Sequence, residues 1–262
     1  MTDATRDTLF SGAISCRQPE HGYRFSLDAV LLAHFARPGQ GARVVDLAAG
    51  CGVVGLIVLY RHPQLASCVA VEVQDQLAFF ARENFRDNGF ADKTTVICGD
   101  VAGIKELVPA QSADLVFCNP PYYQSGRGRA SRTDGENMAR HQKIPVTVFA
   151  SAAAWCLGKG GEAAFIYPAG QLVELFAACD HAKLTVKRLR FLYSYPGQTA
   201  TRTLILCRKG GGPGLSVLPP LYVYERKNGR YSEEAAEMYE AAPAQSGQAG
   251  MAADGGKPCW RN

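Results

Sequence analysis

The 262 residues carry a net charge of +4, are 47% hydrophobic and 20% charged, and contain nine cysteines. That length holds one large α/β domain or two small ones, and the composition reads as that of an ordinary, mildly basic soluble globular protein, compatible with an RNA partner. The cysteines (16, 51, 68, 98, 118, 156, 179, 207 and 259) form no CxxC pair and sit mostly in apolar runs, as small core residues of a reducing cytoplasm do. The histidines are dispersed, so no metal is expected. Met1 to Phe10 is too polar for a signal peptide and no apolar stretch reaches membrane-spanning length, so a cytoplasmic location with no membrane partner is expected.

Residues 1–20 read as polar and irregular. The first clear element is Phe25 to Phe35, where Ser26 can cap a helix with Leu27, Val30, Leu31 and Phe35 at helical spacing, ending before Pro38 and Gly39. Asp28 and the preceding Gly22-Tyr23-Arg24-Phe25 either cover a ligand or decorate a surface helix.

Ala42 to Leu47 is a short β-branched run, followed by Ala48-Ala49-Gly50-Cys51-Gly52 and an apolar helix from Val53 to Arg61. Strand, glycine turn and helix in that order form the first half of a nucleotide-binding unit, with the helix N-terminus favouring a ligand carboxylate or phosphate. Ser67 to Val73 is a second strand with Glu72 at its end, Gln76 to Asn88 an amphipathic helix closed by Gly89, and Thr94 to Cys98 a third strand before Gly99-Asp100.

A fourth strand, Ser112 to Cys118, runs into Asn119-Pro120-Pro121-Tyr122. Two prolines can neither continue a ladder nor enter a helix, so the chain must present Asn119 and Tyr122 on a rigid extended turn. A polar loop follows with Arg127, Arg129, Arg132, Arg140 and Lys143, then a helix from Pro145 through Leu157, broken by Gly158 to Gly161. A fifth strand spans Glu162 to Tyr167, and Gly170 to Ala182 is helical. Leu184 to Tyr193 and Thr201 to Arg208, joined by seven residues, are too close for a helical crossover and should pair as a hairpin. A short helix over Ser232 to Tyr239 precedes a Gly/Ala-rich stretch from about Ala241, which is expected to be a disordered tail.

The fold expected is α/β, a doubly wound, mostly parallel seven-stranded sheet with a C-terminal antiparallel hairpin, binding its ligand at the carboxyl ends of the strands. Asp46, Gly50 and Gly52, Glu72, Asp100 and Asn119 all fall at such ends. Glu72 suits a pair of ribose hydroxyls, because a carboxylate accepts two hydrogen bonds at once; Asp100 suits an exocyclic amine.

The motifs DLAAGCG, VEV, GD and NPPY together resemble the class I S-adenosylmethionine-dependent methyltransferases, in the branch that modifies planar nitrogens. GYRFSLDAVLLA, Ala139-Arg140-His141 and PGQTATRTLIL resemble more narrowly the bacterial tRNA adenine-N6 methyltransferases that modify an anticodon-loop adenosine of a valine tRNA. The resemblance covers roughly residues 20–210 and implies S-adenosylmethionine as methyl donor and tRNA as substrate. It places an N-terminal segment and covering helix in 1–40 and the methyltransferase domain in 41–240.

The cofactor would lie against Phe25, Asp28, Asp46, Ala48, Gly50, Gly52, Glu72, Val73, Asp100, Val101 and Asn119. Asn119, Pro120, Pro121 and Tyr122 would hold the acceptor, while Arg127, Arg129, Arg132, Arg140, Lys143 and Arg202, with Lys183, Lys187, Arg188 and Arg190, would hold RNA phosphates. Ala48 departs from the pattern, standing where the glycine turn usually begins.

The alternatives are a guanine N2 methyltransferase of ribosomal RNA, a methyltransferase for a protein glutamine amide, and an inactive methyltransferase fold serving as an RNA-binding scaffold. A dinucleotide oxidoreductase would share the turn but give no reason for NPPY.

Overall fold

The computed structural model describes residues 4–21, 24–121 and 144–240. Tyr122, Arg127, Arg129, Arg132, Arg140, His141, Lys143 and the tail from 241 lie outside these residues.

The chain opens with two strands, β1 (Ala4–Leu9) and β2 (Ile14–Pro19), paired antiparallel with Leu9 opposite Ile14. This hairpin corrects the expectation of an irregular N-terminus. Its turn has Phe10, Ser11 and Gly12 all at positive φ, and Phe10 and Ser11 carry none of the Asn-Gly or Gly-Gly signals that announce such a turn. β1 is also half exposed along its length, so it lacks the apolar run that marks a buried strand.

Next come α1 (Leu27–Phe35), β3 (Arg43–Leu47), α2 (Val53–Arg61), β4 (Ser67–Glu72), α3 (Asp75–Asp87), β5 (Thr94–Cys98), the one-turn α4 (Ile104–Leu107) and β6 (Ala113–Cys118). After the undescribed segment follow α5 (Val146–Cys156), β7 (Leu157–Pro168), α6 (Leu172–His181), β8 (Leu184–Tyr193), β9 (Ala200–Lys209), the two-residue strands β10 (Ser216–Val217) and β11 (Leu221–Tyr222), and α7 (Glu233–Glu240). Ser26 caps α1 as expected, its hydroxyl accepting from the Asp28 amide.

The main sheet has the order β10-β8-β9-β7-β6-β3-β4-β5, with β11 also on β8. β3 to β7 run parallel, and β9 lies antiparallel between β7 and β8. The seven expected strands are therefore all present. β10 and β11 lengthen the outer edge of β8, and they are too short for periodicity to reveal. β7 also begins earlier than expected, because Leu157 pairs with Ala113 and a register shift absorbs the glycines, Gly160 at φ +79.

Alternation along the strands sends side chains to two cores. Leu115 and Phe117 of β6, Ala164 and Ile166 of β7, and Leu204 and Leu206 of β9 pack with α1, α2, α3 and the N-terminal hairpin. Val116 and Cys118, Ala163 and Phe165, and Ile205 and Cys207 pack with α4, α5 and α6. This is the period-two signature of a parallel sheet covered on both faces. α2 is apolar nearly all round because α1, α3 and β2 enclose it.

Candidate active site

The parallel register lines up the motif residues along one edge. Leu47 pairs with both Cys118 and Val71, and Glu72 pairs with Cys98. Asn119, Ala48, Glu72 and Gly99 thus leave four adjacent strands at the same level, in the order β6, β3, β4, β5. At about 4.8 Å per strand the row from Asn119 to Asp100 spans about 14 Å, a crevice suited to an extended nucleoside with an amino-acid arm.

The turn after β3 is held by its neighbours. Ala48, Gly50 and Gly52 have φ of 57, 56 and 80°. At Ala48 this left-handed conformation costs about 1 kcal/mol that glycine would not incur, a local strain of the kind found where a backbone faces a ligand. The Gly50 amide donates to Glu72 Oε2 at 2.8 Å and the Gln74 amide to Oε1 at 3.0 Å, orienting a carboxylate that is 4% exposed. A Cβ on Gly52 would lie 3.0 Å from Phe85 Cζ, and on Gly55 2.9 Å, so the glycines let α2 seat against α3.

Asp46 lies beneath the turn. It is 1% exposed and its Oδ2 accepts from the Gly55 amide at 3.3 Å. Burial pushes its pKa up to about 7, Glu72 adds to the rise, and the Gly55 N–H opposes it. Asp100 is exposed and caps the following 3-10 turn through the Ala102 amide at 2.8 Å. Val73 is exposed beside Glu72, whereas the Val101 side chain is buried in the second core.

Two features around the site were not legible in the motifs. Asn84 of α3 is fully buried; its Oδ1 accepts from the Arg17 amide at 2.7 Å, and its Nδ2 donates to the Arg17 carbonyl at 2.8 Å and the Cys51 carbonyl at 2.9 Å. One side chain thus ties β2 to the glycine turn. One turn on, Asn88 clasps Ser15 in the same way, Oδ1 to its amide at 2.9 Å and Nδ2 to its carbonyl at 2.7 Å. An asparagine at position 84 interrupts the stripe of Leu77, Ala81 and Phe85, and that buried polar break was the available signal.

The covering segment is anchored on both sides. The half-buried Phe25 donates its amide to Gln18 Oε1 at 3.0 Å, and Gln18 is 1% exposed. Asp28 accepts from Arg202 Nε at 3.0 Å, and because Arg202 faces Pro168 at the end of β7, this pair lies at the same sheet edge as Asn119. Asn119 itself is half-buried, Pro120 buried and Pro121 exposed.

Of the cations expected to hold phosphates, four of the five that fall among the described residues have partners within the fold. Lys187 Nζ donates to the Gly212 and Pro213 carbonyls, Arg188 lies over the Phe35 ring, Arg190 makes a bidentate pair with Glu234 at 2.5 and 2.7 Å, and Arg202 pairs with Asp28. Lys183 immediately precedes β8, at the opposite edge of the sheet. These partners lie far off in sequence, so charge spacing alone does not reveal them. Among the described residues no group of three or more metal-binding side chains comes together, and no helix is long and apolar enough to cross a membrane.

The family model described as the methyltransferase small domain matches residues 26–167. The chain belongs to that family. The family's chemistry is methyl transfer, with S-adenosylmethionine as donor, and the match spans the turn, Glu72, Asp100 and Asn119. The chain is 27% identical over 190 residues to the tRNA1(Val) (adenine(37)-N6)-methyltransferase of Shewanella sp. strain MR-4, covering 72% of this chain and 79% of that protein. It is 25% identical over 227 residues to the protein of the same name from Dyadobacter fermentans, covering 86% and 92%. Among solved structures, a predicted O-methyltransferase from Agrobacterium tumefaciens superposes with a TM-score of 0.67 at 23% identity, over 83% of this chain and 99% of that one. A SAM-dependent O-methyltransferase from Thermotoga maritima gives 0.52 at 17%, over 74% and 69%. These two share the fold, the Rossmann-like architecture of class I methyltransferases.

Proposed function

We propose that the protein transfers a methyl group from S-adenosylmethionine to the exocyclic N6 amine of an adenine in tRNA. The observation that carries this reading is the placement of Asn119 and Pro120 one strand away from the strained glycine turn, on the edge shared with Glu72 and Asp100. The curated relatives bearing a tRNA adenine-N6 name support the substrate.

The residues present fit the cofactor. A carboxylate offers about four acceptor positions, so Glu72, held by two backbone amides, can take a pair of ribose hydroxyls. The turn's backbone and the N-terminus of α2 would take the amino-acid arm, Asp100 would accept from the adenine amine, and exposed Val73 and half-buried Phe25 would give apolar cover. When bound, S-adenosylmethionine supplies an electrophilic methyl group on a sulfonium.

The chain's task is to make a poor nucleophile react. An aromatic amine delocalises its lone pair into the ring; with its two N–H groups accepted by Asn119 Oδ1 and the Pro120 carbonyl, the nitrogen is held pyramidal with its lone pair directed at the methyl carbon. The N–C bond forms as the C–S bond breaks, and one amine proton departs to solvent. Tyr122 is assigned to stack on the base, and Arg127, Arg129, Arg132, Arg140 and Lys143 to its flanking phosphates; all lie outside the described residues. A neutral thioether leaving group needs no acid, so orientation is the main contribution. An adenine in a single-stranded loop reaches such a pocket with the least unstacking.

Replacement of Asn119 by Ala separates chemistry from binding. Transfer of labelled methyl to unmodified tRNA should fall at least 100-fold while the dissociation constant for S-adenosylmethionine changes less than about threefold, a purely transition-state loss. Equal losses in both would remove Asn119 from the acceptor clamp.

A further inference from the structure

We propose that the C-terminal hairpin from Tyr224 to Tyr231 is an RNA-docking surface that grips the substrate backbone beside the methyl-transfer crevice. It rests on the RNA reading above and adds a contact that neither the family match nor the relatives' names assign.

The hairpin is well formed. Tyr224 bridges Tyr231, the Glu225 amide donates to the Arg230 carbonyl at 3.1 Å, the Gly229 amide donates to the Arg226 carbonyl at 3.0 Å, and Asn228 takes the left-handed conformation at φ 55°. Its base is fixed where β11 pairs with Leu192 and Tyr193, and the Tyr224 amide continues that pairing onto the Ser194 carbonyl.

β8 runs parallel to β7 and β6, so the end of β8 and the hairpin beyond it lie at the carboxyl edge. From β6 the sequence of neighbours is β7, β9, β8, β11, a separation of about 19 Å at the usual strand spacing. That distance is a few nucleotides of RNA, on the side away from the cofactor strands β3, β4 and β5.

Its chemistry suits a nucleic-acid backbone with unpaired bases. Arg226 and Lys227 project from the tip and are exposed, in contrast to Lys187, Arg188, Arg190 and Arg202. Arg230 pairs with Glu225 at 2.8 Å, but the two side chains are 82% and 43% exposed, and a pair so hydrated yields readily to a phosphate. Tyr224 and Tyr231 stack at 5.1 Å and 13°, Tyr231 stacks in turn on Tyr239 at 5.4 Å, and the first two rings remain more than a third exposed. A pre-stacked aromatic edge between guanidinium and ammonium groups is the pattern of single-strand recognition. Beyond it, α7 exposes Glu233, Glu237 and Glu240, which repel phosphates and so confine RNA to the hairpin side.

The test uses the full chain and total unmodified tRNA. In the Arg226→Ala/Lys227→Ala double variant, tRNA affinity should fall about tenfold and the slope of log affinity against log salt should lessen by about 0.7 to 0.9 for each cation removed. S-adenosylmethionine affinity and kcat should stay at wild-type values, and Arg226→Lys/Lys227→Arg should restore affinity and slope. Wild-type tRNA affinity and slope in the double variant, with tRNA still methylated, would overturn the docking surface and leave the functional reading standing. Loss of tRNA affinity in a protein that methylates only polypeptide would uphold the surface and sink the substrate assignment. A wild type that binds no tRNA would overturn both.

Discussion

Asp46 holds its proton far above the usual carboxylate range, up to about 7 against an ordinary 3.8, because it is buried beneath the glycine turn. Between those values the folded state binds more protons than the unfolded chain, so this group's contribution to stability declines as pH rises from about 4 to about 7. Asp46→Asn keeps an acceptor for the Gly55 amide but cannot ionise. Denaturation midpoints at pH 5 and pH 8 should show the variant gaining about 2–3 kcal/mol relative to wild type across that interval; a difference that does not change with pH would mean Asp46 ionises freely. At this scale the sequence revealed residue types but not their partners. Glu72 and Asn119 were readable because each ends an apolar strand, whereas the engagement of Arg202 by Asp28 joins residues 174 positions apart in the chain.

At the scale of elements, α3 is a clasp as well as an amphipathic helix. Through Asn84 it joins the N-terminal hairpin to the Cys51 carbonyl in the turn, and through Asn88 it joins only the hairpin. Asn84→Ala strands buried backbone groups at about 1–3 kcal/mol each, so it should lower stability by about 3 kcal/mol and raise the dissociation constant for S-adenosylmethionine. Asn88→Ala should loosen the hairpin yet leave cofactor affinity unchanged, as read by denaturant melts and titration calorimetry. Equal affinity losses in both variants would show that the hairpin, not the Cys51 contact, sets the turn. β3, β4, β6 and α2 were legible because their β-branched or apolar runs are mostly buried, and β5 because its short β-branched run Thr94–Cys98 ends in Gly99-Asp100. The hairpin β1–β2 was not, because its outer strand alternates between half-buried and exposed positions and its asparagine partners lie some 70 residues away.

Across the whole molecule the sheet divides the work. In the proposed reading, β3, β4 and β5 carry the turn and the acidic ends that would hold the cofactor, β6 carries Asn119, and β7, β9, β8 and β11 extend the same edge toward the proposed RNA substrate. This division follows from one crossover rule: successive parallel strands put every loop of one kind at one edge, where a ligand binds at the reversal of strand order. Strand order was implied by the alternation of elements, while the basic surface had to wait for the partners of each cation. In the proposed function this edge delivers a methyl group to an adenine amine of RNA. Its most direct test is to incubate the protein with S-adenosylmethionine and total unmodified RNA, digest to nucleosides and weigh the products. N6-methyladenosine is expected from the tRNA fraction and should be absent with Asn119→Ala; N2-methylguanosine, or methyl label found only in protein, would contradict adenine-N6 transfer to tRNA.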